Sequence, residues 1–352
     1  MTGTATEPAA QSPAALPRQV RPRSPVRRLL GRPEVGSLCG ALIVFLFFLV
    51  MAEPMRQVAS IATVFYSAST IGIVTVPVAL LMIGGEFDLS AGVAVISSAL
   101  VAAMLSFQMT ANVWVGVVVA LLVSLGIGFV NGYIRMRTGI HSFLVTLGMF
   151  LMLQGLNLAV TKLVTGNVAT HDISDMDGFD TAHAIFAASL HIGGVGIEAS
   201  ILWWIVFVAI ATWILLRSMV GNWIFAVGGD GASARAVGVP VKHTKIGLFM
   251  AVGFGAWFLG MHELFSFNTV QSGAGVGNEL IYIAAAVVGG CLLTGGYGSA
   301  VGGALGAFIF GVTTQGIVYA GWNPDWFMFF LGAMLLLAVV VNLWVRRRAA
   351  RR

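Results

Sequence analysis

An all-α integral membrane protein, with about ten transmembrane helices and short or broken helices around a central path, is the fold this sequence predicts. Three observations carry that expectation. Of 352 residues 58% are apolar and only 9% charged, whereas soluble domains carry about 25% charged residues, so a water-soluble globular protein is excluded. Apolar runs of the roughly 20 residues that a bilayer-spanning helix needs recur along the chain. And 17 of its 19 lysines and arginines fall on one side of a ten-span arrangement, the segregation that the positive-inside rule describes.

The elements follow in order. Residues 1–34 hold six of the ten prolines and six arginines (Arg18, Arg21, Arg23, Arg27, Arg28 and Arg32) with little apolar periodicity, which predicts a disordered basic tail. Residues 35–52 read as an uncleaved first span, because no small-residue cleavage site follows Met51 and further spans come at once. Apolar runs at 58–83, 91–109, 113–134, 141–161, 200–216, 246–265, 279–294, 299–320 and 326–345 complete the set. Pro77 inside 58–83 removes a backbone donor and is expected to kink or break that helix. The 279–294 run is short and closes on Gly289-Gly290. Such interruptions survive in lipid only where protein or water satisfies the freed carbonyls, so both segments are expected to face the inside of the bundle.

Lysine and arginine place the N-terminal tail, the 135–140 turn, the 217–245 loop and the basic 346–352 tail in the cytoplasm, leaving Arg56 and Lys162 on the other face. Residues 35–345 are thus one membrane domain with both termini cytoplasmic. Its external loop, 162–199, carries Asp172, Asp175, Asp177, Asp180 and Glu198 against Lys162 alone. That acidic surface is either a landing site for an external partner or a solvated loop. The two cysteines, Cys39 and Cys291, lie in apolar stretches and read as packing residues, with neither a disulfide framework nor a metal knuckle.

Missing motifs narrow the function. No G-x-x-x-x-G-K-[ST] phosphate loop exists, since none of Lys162, Lys242 and Lys245 follows a glycine. Gly194-Val195-Gly196 with Ala199 fits a dinucleotide fingerprint, yet it lies in the external loop outside any βαβ unit and reads as chance or a hairpin turn. Within the spans the only ionisable residues are His141, His262, Glu263 and Glu279, all near predicted ends. An intramembrane charge costs at least about 2.5–3.5 kcal/mol, so this sparse set argues against a proton relay and for a neutral polar solute moved by energy from outside the chain. The six histidines show no H-E-x-x-H spacing and no serine sits in a G-x-S-x-G elbow. Neither an enzyme, a metal, a cofactor nor a nucleic-acid partner is expected.

Glycines at 298, 302 and 306, and at 128 and 132, repeat every four residues and predict close helix packing. Mild polar groups between them, including Ser97, Ser98, Asn131, Gln154, Asn157, Asn268, Gln271, Thr313, Thr314 and Gln315, either line a translocation path for hydroxylated solutes or tie helices together. In the 217–245 loop, Asp230 is the expected N-cap of a two-turn helix over 231–237. Gly238 supplies its left-handed end, and Pro240 prevents continuation. A helix so short is unstable alone in water, so it needs the bundle or a docking partner for support.

These residues carry a resemblance. Gly84-Gly85-Glu86-Phe87-Asp88-Leu89-Ser90-Ala91-Gly92 looks like a G-G-I-D-L-S-V-G turn. Gly221, Ala226 to Gly229, Ala234-Arg235, Gly238-Val239 and Val241 are similar to a coupling loop, and Ala284 to Gly290 with Leu293 to Ser299 supply a third stretch. With Asn131-Gly132 and Phe143 to Gly148, the chain resembles the permease subunit of bacterial ABC importers, in the ribose/xylose/simple-sugar branch related to branched-chain amino-acid permeases, over residues 40–345. Glu86 stands where that family commonly has glycine, and His141-Ser142 where a proline often precedes the phenylalanine.

The resemblance implies a subunit of the bacterial plasma (inner) membrane that forms one translocation path with a second permease copy or a similar chain. A cytoplasmic ATP-binding subunit would dock on the 217–245 loop through Asp230, Ala234, Arg235, Gly238, Val239 and Pro240. An external sugar-binding protein would deliver a simple sugar or polyol. The resemblance also covers the cytoplasmic turn of Gly85, Glu86, Asp88 and Ser90, Asp88 being either an N-cap for the 91–109 helix or a gate contact, with the cap favoured. The rival from another class is a self-sufficient secondary transporter or facilitator for a neutral polar solute; a membrane enzyme or scaffold is a distant third.

Overall fold

The computed structural model describes residues 33–109 and 112–350; the N-terminal tail expected over 1–34 lies almost wholly outside them. The chain runs α1 (Pro33–Met51), a 3₁₀ turn (Glu53–Arg56), α2 (Val58–Ile83), α3 (Ala91–Gln108), α4 (Val113–Thr138) and α5 (Ser142–Thr165). Next come α6 (Phe179–Phe186), a hairpin of β1 (Ser189–Ile192) and β2 (Val195–Glu198), α7 (Ala199–Arg217), α8 (Met219–Gly229) and α9 (Gly231–Ala236). Last are α10 (Val241–Phe267), α11 (Asn278–Val288), α12 (Ala300–Tyr319) and α13 (Trp326–Ala350). Among the described residues eight helices, α1 to α5, α7, α10 and α12, are long and apolar enough to cross a membrane. This is an all-α, multi-pass membrane fold.

Two shells organise it. In α2, α3, α10 and α12, between 61% and 78% of the apolar window is buried inside the protein, whereas in α1, α4, α5 and α7 the share is 17–33%. The outer helices present Leu122, Leu163, Leu202 and Trp213 outward, apolar surface that suits lipid as solvent. Local signals set the helix ends. Asn112 accepts the Trp114 amide at 3.0 Å at the start of α4, and Gly139 and Gly166 end α4 and α5 at φ 74° and 73°.

Several expectations are corrected by packing. α2 is one helix through Pro77 rather than a broken one; the ring fits against Gly255 of α10, where a Cβ would come within 2.7 Å of Pro77 Cγ. The 279–294 run is not a full span. α11 has 11 residues, about 16 Å at 1.5 Å per residue, against about 30 Å of hydrocarbon. Before it comes non-helical chain over 268–277, which turns over 272–277. It is tied at one end of the bundle by Thr170 N–H to Val270 O (3.0 Å) and Ser272 N–H to Val168 O (2.9 Å), while beyond α11 Gly296 N–H reaches Ile83 O at the other (2.8 Å). The backbone of α13 stays helical to Ala350, where a tail is expected from 346. Cys291 is buried, as a packing residue should be, but Cys39 lies on the exposed face of α1.

The long loop after α5 is also more ordered than its composition suggests. The α6 helix and the hairpin fill it, with Gly193 and Gly194 at positive φ in the tight turn. His262 of α10 is buried under it, its Nδ1 2.8 Å from Phe186 O and its Nε2 3.4 Å from the Tyr66 hydroxyl. The charges divide the ends: Arg135, Arg137, Arg217, Arg235, Lys242 and Lys245 lie toward one end, and the acidic loop residues toward the opposite one.

The glycine spacing works at α11 and α12, where a Cβ at Gly306 would fall onto the Ala285 carbonyl and one at Gly302 onto that of Gly289. Close helix approach of this kind is what small residues permit in membranes. Gly306→Val is expected to destabilise the protein by about 1–3 kcal/mol or more through overpacking. Thermal unfolding in detergent checks it, Gly148→Val, which meets nothing within 4 Å, being the neutral control.

Candidate functional site

At the basic end, the turn between α2 and α3 is held from several sides. Ser142 Oγ accepts the Phe87 amide (3.1 Å) and Thr146 Oγ1 accepts the Leu89 amide (3.0 Å), both from the first turns of α5. Asp88 Oδ1 accepts the Ser90 amide at 2.8 Å and the Ser90 hydroxyl at 2.6 Å, and Asn131 of α4 donates to Ser90 Oγ at 2.9 Å. Asp88 therefore does not cap the amides that open α3. Ser90 occupies the cap position, without a side-chain cap bond, and Asp88 closes the turn that precedes it.

Glu86 is the hinge of the charges here. Its carboxylate is 2% exposed and accepts from Arg135 Nε of α4 at 2.9 Å and from Lys245 Nζ of α10. Burial alone would raise the carboxyl, but the hydrogen bonds from Lys245 and Arg135 outweigh it and hold Glu86 below its ordinary value. One acid thus joins three elements. Sequence reasoning placed Glu86 in the cytoplasmic turn and noted it as a departure from a family pattern, but missed both partners.

The 217–245 stretch is more helical than a loop. Ser218 Oγ accepts the Gly221 amide at 3.1 Å and starts α8, Asp230 then caps α9, and α10 has begun by Val241, so Lys242 and Lys245 belong to a long helix. Asp230 Oδ1 accepts from the amides of Ala232 (2.9 Å) and Ser233 (3.4 Å), and its Oδ2 from the Ser233 hydroxyl (2.6 Å). These bonds keep its carboxyl below the usual range. α9 ends at Ala236, one residue earlier than the sequence predicts, with Gly238 at φ 88° and Val239 N–H returning to Ala234 O (3.0 Å). Pro240 then leads directly into α10. Ala234 is buried with Val227, Val239 and Val241, which supplies the support a six-residue helix lacks by itself, while Arg235 and Val237 stay exposed.

Backbone meets backbone beneath α9. A Cβ on Gly228 would overlap the Ile83 carbonyl, and one on Gly295, at φ 79°, would lie 2.6 Å from Gly85 Cα and 2.7 Å from Gly228 O. The 84–90 turn, the end of α8 and the 289–298 loop are thereby locked together. The three stretches that carry the sequence resemblance, separated by more than 200 residues, form this one junction.

The pathway candidates divide among different settings. Asn131 and Asn157 are buried between helices: Asn131 holds Ser90, and Asn157 accepts from Ser97 (2.9 Å) and donates to Val93 O (3.3 Å). Asn268 ends α10 at φ 60° with its carbonyl on the Ile173 amide, and Gln271 bridges Ala169. Gln154 and Gln315 are half-buried on α5 and α12. Thr314 lines a cavity with Ser67, Thr70, Glu263, Asn278 and Tyr282, residues that sequence reasoning did not bring together.

The family described as branched-chain amino acid transport system / permease component matches residues 60–339. The chain is 28% identical to the ribose import permease protein of Escherichia coli (strain K12) over 314 residues, 88% of this chain and 93% of that one. It is 26% identical to the fructose import permease protein of Rhizobium meliloti (86% and 83% covered). To the galactose/methyl galactoside import permease protein of Escherichia coli (strain K12) it is 29% identical (87% and 93%). No solved structure matches it. With the family's match spanning residues 60–339, the chain belongs to the branched-chain amino acid transport system / permease component family.

Proposed function

We propose that this chain is the permease subunit of an ATP-driven importer in a bacterial plasma (inner) membrane, forming the pathway for a simple sugar or polyol delivered by an external binding protein. The observation that carries the reading is the glycine junction under α9. An exposed capped helix rests there on backbone shared by the end of α2, the start of α3 and the loop before α12, so force on α9 is delivered to three inner helices at once. A cytoplasmic ATP-binding subunit supplies that force, the basic end faces the cytoplasm, and both termini lie there. A second permease copy completes the path, and the acidic end receives the binding protein. The relatives' names differ in their sugar, ribose, fructose or galactose, which supports a sugar class rather than one sugar.

Purification from the native membrane in mild detergent tests this. A polypeptide with a phosphate loop and ATPase activity is expected to co-purify, and uptake in liposomes is expected to require ATP. A chain that comes out alone and moves sugar without ATP would put a facilitator in its place.

A further inference from the structure

A cavity of about 230 Å³ lies between α2, α10, α11, α12 and α13, away from the α9 junction. Its polar wall is Ser67 and Thr70 of α2, Glu263 of α10, Asn278 and Tyr282 of α11, and Thr314 of α12, with Phe327 of α13 beside them. The first turn of α11 follows the turns of 272–277, which pack on α3 where Gly275 meets Gly92. The buried acids have donors: Glu86 has Lys245 and Arg135, Asp88 has Ser90, and both Glu279 oxygens take the Gly277 amide, at 3.1 and 3.2 Å, whereas Glu263 is half-buried at the cavity wall. Glu263 differs. Among the described residues no group donates a hydrogen bond to its carboxylate, and neither ion pair includes it. A carboxylate at this depth without a partner is costly and calls for a function.

The neighbouring hydroxyls point to the same missing component. Thr70 donates to Ser67 O (3.0 Å) and Thr314 to Phe310 O (2.9 Å), so what their oxygens offer the cavity is acceptance. Glu263, Thr70 and Thr314 offer acceptors, while Asn278 and Tyr282 bring an amide and a hydroxyl that also donate. An uncharged solute with several hydroxyls fits: two adjacent hydroxyls donate to the two Glu263 oxygens, others to Thr70 and Thr314. The rings of Tyr282 and Phe327 cover its carbon skeleton. The volume falls below the roughly 300–1,000 Å³ of drug-sized sites, which suits a single monosaccharide or polyol.

We infer that this cavity is a polyol subsite within the permease itself, with Glu263 as its principal hydroxyl acceptor, so that part of the solute selection resides in this chain. The solute's role as cargo rests on the importer reading above. The purified full-length chain, without ATPase or binding protein, is titrated with D-ribose, D-xylose, D-fructose, D-galactose and sorbitol by equilibrium dialysis. At least one is expected to bind, with affinity lowered about tenfold by Glu263→Gln, as loss of a charged hydrogen bond implies, and less by Thr314→Val. Both variants are compared with the parent by thermal unfolding. Should Glu263→Gln not fold, Thr314→Val and Phe327→Ala carry the test.

Failure of all five probes to bind the parent, equal affinity in parent and variants, or sodium or potassium ions displacing the sugar at Glu263 would each overturn the subsite. Uptake in the complete transporter separates the two readings. ATP-driven uptake that is unchanged in Glu263→Gln removes the subsite and keeps the importer, whereas sugar binding without any ATP-driven uptake by the parent removes the importer and keeps the subsite.

Discussion

Replacing Glu86 by glutamine is expected to cost about 3–5 kcal/mol, the range for breaking a buried ion pair by removing one partner. The loss comes less from the attraction than from what is left behind. Lys245 is 9% exposed, and without the carboxylate it faces Arg135 as a like charge. A double-mutant cycle exposes this: Glu86→Gln with Lys245→Met is expected to be more stable than Glu86→Gln alone, because the stranded cation is gone. Additive losses would mean that the acid and the lysine act independently. The sign of the pH dependence follows from the lowered carboxyl. Its stabilisation is complete above the ordinary glutamate value of 4.5 and disappears as pH falls through the lower folded value, so unfolding in detergent should show the parent losing stability in acid more steeply than Glu86→Gln.

That triad also shows where sequence reasoning stops. Helices were legible because each apolar run is long and contiguous, and α9 was legible because its cap, left-handed glycine and proline all lie within eleven residues. Glu86 is 49 positions from Arg135 and 159 from Lys245, and nothing local in either helix marks the pairing. The same limit applied to 268–288. Its glycine-rich first half has the composition of a surface loop, and only packing against α3 and the 168–170 segment takes it into the bundle as a run of turns. Polar residues inside spans were equally ambiguous. Asn157 and Thr314 look alike in hydropathy, yet one is spent between α3 and α5 while the other opens into a cavity, a distinction made by which face of each helix meets a neighbour.

Under the importer reading, the pair Asp230→Ala and Gly238→Val should lower uptake about tenfold while leaving the protein in the membrane and the partner's ATP hydrolysis within about twofold. The reason is local. A six-residue helix cannot nucleate by itself, and α9 survives on three supports: the Asp230 cap, the left-handed turn at Gly238, and the Ala234 contact with Val227 and Val241. A β-branched residue at φ 88° costs about 1–2 kcal/mol, and each 1.4 kcal/mol is a tenfold change in population. With the cap also removed, most molecules would present a frayed segment to the ATPase, so hydrolysis continues and its force is not transmitted to the glycine junction. Asp230→Asn keeps an oxygen for the amides of Ala232 and Ser233 and should restore uptake close to the parent level, which separates capping from charge. ATPase activity and uptake measured on the same liposomes decide it: parallel loss of both would make α9 a binding element only, and full uptake by the double variant would remove α9 from the coupling path.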